Sequence, residues 1–270
     1  MLKQRVLTAV IIGAILILAI VKLPNSWLQL VFAVITLLGA WEWSTLLGFR
    51  KPVLKIFYVA MIALAMLLVW HFIQPRYENT LLMLASLWWA SVVFLLALYK
   101  SDWLQSTWLK NLFIFSGFIV LVPAWLALSN LHKQGVEMIL FFIALVCVAD
   151  IAAYFTGKRF GKNKLAPKLS PGKSREGVLG ALLSSILMSI IGLQLFTFSK
   201  QGSLYFIGLC VFIVLISVIG DLYESLLKRN AGAKDSGTIL PGHGGVLDRI
   251  DSITAAAPGY LLGIYWISTC

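Results

Sequence analysis

The sequence predicts an all-α, polytopic integral membrane protein of about nine transmembrane helices, and three observations carry that prediction. Hydrophobic residues make up 60% of the 270 residues and charged residues only 12%, with a mean hydropathy of +0.91. A soluble domain carries about twice that share of charge. Apolar runs long enough to cross a hydrocarbon core, roughly 20 residues with about 17 tolerated, recur along the whole chain. The Lys and Arg residues gather in connectors on one side, as the cytoplasmic loops of membrane proteins require.

The runs fall at 6–21, 27–47, 55–73, 80–98, 109–130, 136–157, 176–197, 203–224 and 250–268. The first follows Lys3 and Arg5 as a signal peptide would. Its exit, Val21-Lys22-Leu23-Pro24-Asn25, lacks a small-residue cleavage site and reads as a retained helix. The sixth run carries Asp150 and Tyr154 toward its end, and the eighth carries Asp221 and Glu224, so both bring polar groups to the bilayer edge. Nine spans place the N-terminus and the connectors after spans two, four, six and eight on one side. That side holds eighteen of the 22 Lys and Arg residues; Lys22, Arg76, Lys133 and Lys200 are the other four. The N-terminus and both long basic loops are therefore expected in the cytoplasm. An even number of spans would separate the two loops.

Residues 1–135 form five expected spans, and residues 136–270 form four with the two long loops; one continuous membrane domain is the alternative. Trp88, Trp89, Trp103 and Trp108 read as interfacial belt residues. Cys147, Cys210 and Cys270 are too scattered for a disulfide framework or a zinc site and read as packing residues. The net charge of +11 does not point to nucleic acid, because the cations lie in short loops beside helices. Anchoring to anionic headgroups accounts for much of that charge.

The loop from Gly157 to Gly177 reads GKRFGKNKLAPKLSPGKSREG and holds seven cations. Gly172-Lys173-Ser174 is not a Walker A motif, since Pro167 stands where Gly is needed and no strand precedes it. What remains is a loop offering backbone N–H groups, Ser170, Lys173 and Ser174 just before a helix N-terminus near Glu176. Such an arrangement receives anions. Membrane anchoring and an electrostatic funnel for an anionic substrate are both open.

The second loop, with its flanks, is the densest polar stretch: Ser225–Ser252, SLLKRNAGAKDSGTILPGHGGVLDRIDS. Asp221 and Glu224 are spaced i, i+3 at the end of span eight, and Asp248 and Asp251 are spaced i, i+3 at the start of span nine. Each pair shares a helix face. Hard oxygen ligands beside a cationic loop suit a magnesium–triphosphate complex, because Mg²⁺ takes a few carboxylates and leaves its other positions to water and phosphate. Blander readings exist for single residues: Glu224 pairs with Lys228 at i+4, and Asp248 and Asp251 suit the positive end of a helix dipole. Between the carboxylate pairs, Pro241-Gly242-His243-Gly244-Gly245 permits close backbone approach around phosphates.

Ser225–Asp251 resembles the signature of phosphatidate cytidylyltransferases, S-x-x-K-R-x4-K-D-x-G-x2-L-P-G-H-G-G-V-x-D-R-x-D, with no departure. The resemblance extends upstream to Asp150, Tyr154, Gly157, the Ser170–Gly177 segment and Gly220, and more weakly to Trp41-Glu42-Trp43. It implies transfer of a cytidylyl group from CTP to phosphatidic acid, with pyrophosphate released. It implies Asp221 and Asp248 as principal Mg²⁺ ligands, then Glu224 and Asp251, with Asp150 nearby and room for a second cation. Lys228, Arg229 and His243 join Asp221 and Asp248 as expected catalytic residues. Ser170, Lys173, Ser174, Lys234, Asp235, Gly244, Gly245 and Arg249 are the expected substrate contacts. The implied setting is a bacterial inner membrane with the site facing the cytoplasm; a homodimer is compatible with it. A transporter of an anionic metabolite would instead place its polar site near the bilayer midplane and repeat it between halves. A CDP-alcohol transferase would need a D-x2-D-G-x2-A-R motif, which this chain lacks.

Overall fold

The computed structural model describes residues 2–73, 75–99, 106–239 and 244–267, and their side chains apart from those of residues 2–9, 75 and 76. Among the described residues run nine helices: α1 (Leu2–Lys22), α2 (Asn25–Leu46), α3 (Pro52–Phe72), α4 (Pro75–Leu98), α5 (Thr107–Gln134), α6 (Val136–Phe160), α7 (Arg175–Leu195), α8 (Lys200–Asn230) and α9 (Leu247–Ile267). Each expected span corresponds to one of them. By length and composition, α2 to α8 are able to cross a membrane, and the part of α1 whose side chains are described, Val10–Lys22, is apolar as well.

Helix α9 falls outside that set for a physical reason. It packs against α8, α5, α4, α6 and α2, and Ala255, Ala256, Ala257, Tyr260 and Leu261 are all fully buried. A helix sheathed by other helices meets little lipid, so small residues that permit close approach replace the large apolar ones. Helix α3 is the opposite case, with Val53, Phe57, Leu67, Trp70 and Phe72 all exposed as a lipid-facing surface requires. Helices α8 and α9 approach closely at Gly220, where a Cβ would lie 2.8 Å from the Asp251 carbonyl oxygen. Glycine there lets the two backbones touch, one residue before Asp221.

Three features differ from expectation. Helix α8 continues through Lys228 and Arg229 to Asn230, well past the expected end at 224, so those two residues project from a helix. The basic connector folds into an antiparallel hairpin, β1 (Lys164–Ala166) and β2 (Ser170–Ser174), with Lys164 opposite Ser174 and Ala166 opposite Ser170. Trp88 and Trp89 are not an interfacial belt: Trp89 is 2% exposed, and both rings meet Tyr223 edge-on. With Trp43 and Phe113 they enclose that ring, whose hydroxyl donates to Ser116 Oγ at 2.7 Å. Trp108 is exposed, as a belt residue would be, and Trp103 lies outside the described residues. Cys210 is buried and Cys147 exposed, both as free thiols; Cys270 lies outside the described residues.

Candidate active site

At the end of the bundle where α8 meets α9, three carboxylates converge. Asp221 and Glu224 come from one face of α8 and Asp251 from the first turns of α9, and their nearest oxygens all lie within 4.8 Å of one another. The i, i+3 spacing and the contact at Gly220 together produce this convergence. Glu224 is 3% exposed. Its Oε2 accepts from Lys228 Nζ at 2.6 Å, while its Oε1 is buried with no hydrogen-bond partner. A buried carboxylate oxygen left unpaired is costly. The Asp251 Oδ1 accepts from the Ser252 amide at 2.7 Å. Three crowded carboxylates around an unsatisfied oxygen fit a divalent cation with hard oxygen ligands.

Cations close the site from two directions. Lys173, on β2, reaches Asp221 at 2.5 Å. Lys228 bridges two helices, holding Glu224 and, at 2.7 Å, Asp248. The i+4 pair foreseen between Glu224 and Lys228 is therefore present, and it is one arm of a larger network. On α6, Asp150 lies within electrostatic reach of Asp221 and Lys173.

The structure distributes the remaining sequence-predicted residues unevenly. Asp248 stands outside the trio and meets it through Lys228. Its Oδ2 accepts from the backbone amides of Ser236 and Gly245, both at 2.9 Å, and lies 2.9 Å from the Ser236 hydroxyl. Arg229 donates from Nε to the Leu169 carbonyl at 3.1 Å and from Nη1 to the Ala233 carbonyl at 3.3 Å, which ties the hairpin to the end of α8. Ser174 is buried, and its Oγ accepts from the Gly177 amide at 3.1 Å. It is the N-cap of α7, a hydrogen bond that typically stabilises a helix by about 1 kcal/mol, in addition to the phosphate contact expected of it from sequence. Ser170 is half-buried at the start of β2, and Lys234, Asp235 and Arg249 are exposed at the rim. Gly244 and Gly245 lead into α9. His243 lies outside the described residues.

A family model described as "Cytidylyltransferase family" matches residues 3–266, nearly the whole chain. This chain belongs to the cytidylyltransferase family. It is 39% identical over 262 residues to a phosphatidate cytidylyltransferase of Pseudomonas aeruginosa, covering 96% of this chain and 95% of that one. A phosphatidate cytidylyltransferase of Haemophilus influenzae is 37% identical over 279 residues, covering 96% of each. One of Thermotoga maritima is 33% identical over 263 residues, covering 95% of this chain and 94% of the relative.

One residue of this cytidylyltransferase escaped the sequence reading of the site. Glu42, on α2, is 2% exposed and accepts hydrogen bonds from the Val246 and Leu247 amides at 3.0 and 2.8 Å. It also accepts from the Ser236 hydroxyl at 2.9 Å. The signal was available: a carboxylate within an apolar span is costly and marks a partner inside the protein. Its partners, some 200 residues away, were not deducible from the sequence.

Proposed function

We infer that the chain catalyses transfer of the cytidylyl group of CTP to phosphatidic acid, forming CDP-diacylglycerol and releasing pyrophosphate. The observation that carries this is the match over nearly the whole chain, combined with a charged cluster at one end of an apolar bundle. In the reaction, an oxygen of the phosphatidate phosphate forms a bond to the α-phosphorus of CTP. The bond from that phosphorus to the oxygen bridging the β-phosphate breaks, and pyrophosphate leaves with the electron pair. A phosphate monoester is already nucleophilic near neutral pH, so the protein has chiefly to hold two repelling anions in line.

We assign a divalent cation, taken as Mg²⁺, to Asp221, Glu224 and Asp251, with Asp248 beside them across Lys228. The unpartnered Glu224 Oε1 and the crowding of the three carboxylates support that assignment. When bound, such a cation neutralises triphosphate charge and steadies the departing pyrophosphate. The residues themselves hold and orient the anions. Lys173 sits on a hairpin at the edge of the carboxylates, where its ammonium can exchange Asp221 for a phosphate oxygen. Lys228 supplies a second positive charge, and Lys234 and Arg249 line the approach. Arg229 and Ser174 act indirectly, fixing the hairpin against α8 and α7.

The decisive assay is incubation of purified protein with radiolabelled CTP, phosphatidic acid and Mg²⁺. Label in the lipid phase is expected; label carried unchanged into empty liposomes would support an anion transporter instead. We place the site on the cytoplasmic face of a bacterial inner membrane, on the strength of the basic-residue partition. Cysteines at positions 164 and 234 should resist a membrane-impermeant thiol reagent in intact cells while cysteines at 133 and 200 react. Labelling of position 164 from outside would overturn the orientation.

A further inference from the structure

Glu42 has no counter-ion in the three ion pairs found among the described residues, yet its carboxylate is 2% exposed. Its charge is met by donors that the start of α9 leaves open. The first amides of a helix have no partner within it and carry the positive end of its dipole. Here the amides of Val246 and Leu247 point at Glu42, one to each oxygen. The result is a helix cap supplied from another helix across the bundle.

The connection does not stop at the cap. The Ser236 hydroxyl lies 2.9 Å from both Glu42 Oε2 and Asp248 Oδ2, and Asp248 holds Lys228, which holds Glu224. A continuous chain of polar contacts thus runs from the C-terminal end of α2 to the proposed cation ligands. The packing around Glu42 is tight. A Cβ on Gly237 or on Gly245 would overlap its carboxylate. Two glycines of the signature therefore sit where side chains would push the carboxylate out of its seat. Ser236 and Gly237 on one side and Gly245, Val246 and Leu247 on the other are all packed against the Glu42 carboxylate.

We propose that Glu42 is a positioning residue for cytidylyl transfer: it acts through Ser236 and the α9 N-terminus to hold Asp248, and with it Lys228, at the reaction centre. This rests on the activity inferred above. The residue touches neither substrate nor cation, and its effect is on the placement of groups that do. Because a misplaced Asp248–Lys228 pair disturbs the reacting geometry more than the binding of CTP, the effect should fall on turnover.

The test compares wild-type protein with Glu42→Gln, Glu42→Asp and Ser236→Ala in detergent micelles. Glu42→Gln keeps the shape but turns an NH₂ group toward backbone N–H donors. It should lower kcat by at least 20-fold, with the KM for CTP changed by less than threefold and the melting temperature retained. Ser236→Ala, which removes the hydroxyl between Glu42 and Asp248 but leaves the Val246 and Leu247 amides on Glu42, should give a smaller loss of the same kind. Glu42→Asp keeps the charge at a shorter reach and should recover part of the turnover lost in Glu42→Gln. Should Glu42→Gln fail to fold, Glu42→Asp and Ser236→Ala carry the test. Hydrogen exchange read by mass spectrometry adds an arm independent of activity, in which peptides covering 244–250 should exchange at least tenfold faster in Glu42→Gln. Turnover within twofold of wild type in the folded variants, or a loss matched by the loss of folded protein, would overturn the proposal. So would unchanged exchange at 244–250. If the wild type itself transfers no label to phosphatidic acid, the activity reading fails, and the exchange arm still decides whether Glu42 holds the loop.

Discussion

The two ends of the helix bundle treat buried polarity differently. At the site end, the three ion pairs found among the described residues link α8, α9 and the hairpin, and one carboxylate oxygen, Glu224 Oε1, has no partner. At the opposite end, Glu78 on α4 accepts from Asn130 Nδ2 on α5 at 2.7 Å and from the Tyr265 hydroxyl on α9 at 2.8 Å. His132 there bonds the Asn25 side chain at 3.1 Å and the Ile20 carbonyl at 3.0 Å. Neutral donors satisfy one end, as they do where helices are merely being joined. The other end is crowded with charge that the protein alone leaves incompletely matched, the condition of a site arranged for an ionic ligand. A polar group in a membrane bundle thus reads as structural or functional by whether its neighbours complete it.

The largest effect that would break this contrast concerns Asp221 and Asp248. If they belong to one unit with the cation and Lys228, Asp221→Asn and Asp248→Asn should each reduce turnover by roughly 100-fold or more, the scale of losing a preorganised electrostatic group. The double variant should be scarcely worse than the poorer single one, because groups acting together are non-additive. Turnover measured against Mg²⁺ concentration for the three variants checks this. Losses that simply multiply would separate Asp248 from Asp221 and leave it as a helix-start carboxylate.

A smaller effect is expected at Lys173. Its replacement by Ala removes one charged contact, worth about 1.5–3 kcal/mol, so CTP use should weaken by roughly ten- to a hundred-fold. Steady-state kinetics on folded protein decide it. Unchanged kinetics would reduce the hairpin to a membrane anchor and narrow the site to the two helices.

The smallest effect belongs to the opposite end. Glu78→Ala removes two interhelical hydrogen bonds, which in membrane proteins average about 0.6 kcal/mol each. Thermal unfolding in detergent should show a loss of about 1 kcal/mol, with turnover within twofold of wild type. A loss of activity comparable to that of Lys173→Ala would mean that the two ends are coupled through α9, and the comparison would need redrawing.

Much of the architecture was legible in the chain because burial in lipid is a linear constraint: each span must be apolar for about 20 residues, and each connector shows as an interruption. The position of α9 was legible for the same reason, although its small residues reflect neighbouring helices rather than lipid. The candidate site was legible as a composition of charges, because Asp221, Glu224, Lys228, Asp248 and Asp251 stand close together in sequence. Their division of labour was not. Ser174 and Arg229 have the right chemistry for phosphate, and only the fold shows that their hydrogen bonds go to Gly177, Leu169 and Ala233.

By itself, then, the sequence determined the class of the molecule, the order and approximate positions of its helices, the family to which it belongs, and the segments in which its charges cluster. Each of these depends on local spacing or on a contiguous motif. The tertiary structure alone decided which carboxylates converge, that Asp248 meets them through Lys228, that Trp89 is interior, and that Glu42 closes the start of α9. Those depend on contacts between segments up to some 200 residues apart, where side-chain type limits the possible partners and packing selects among them.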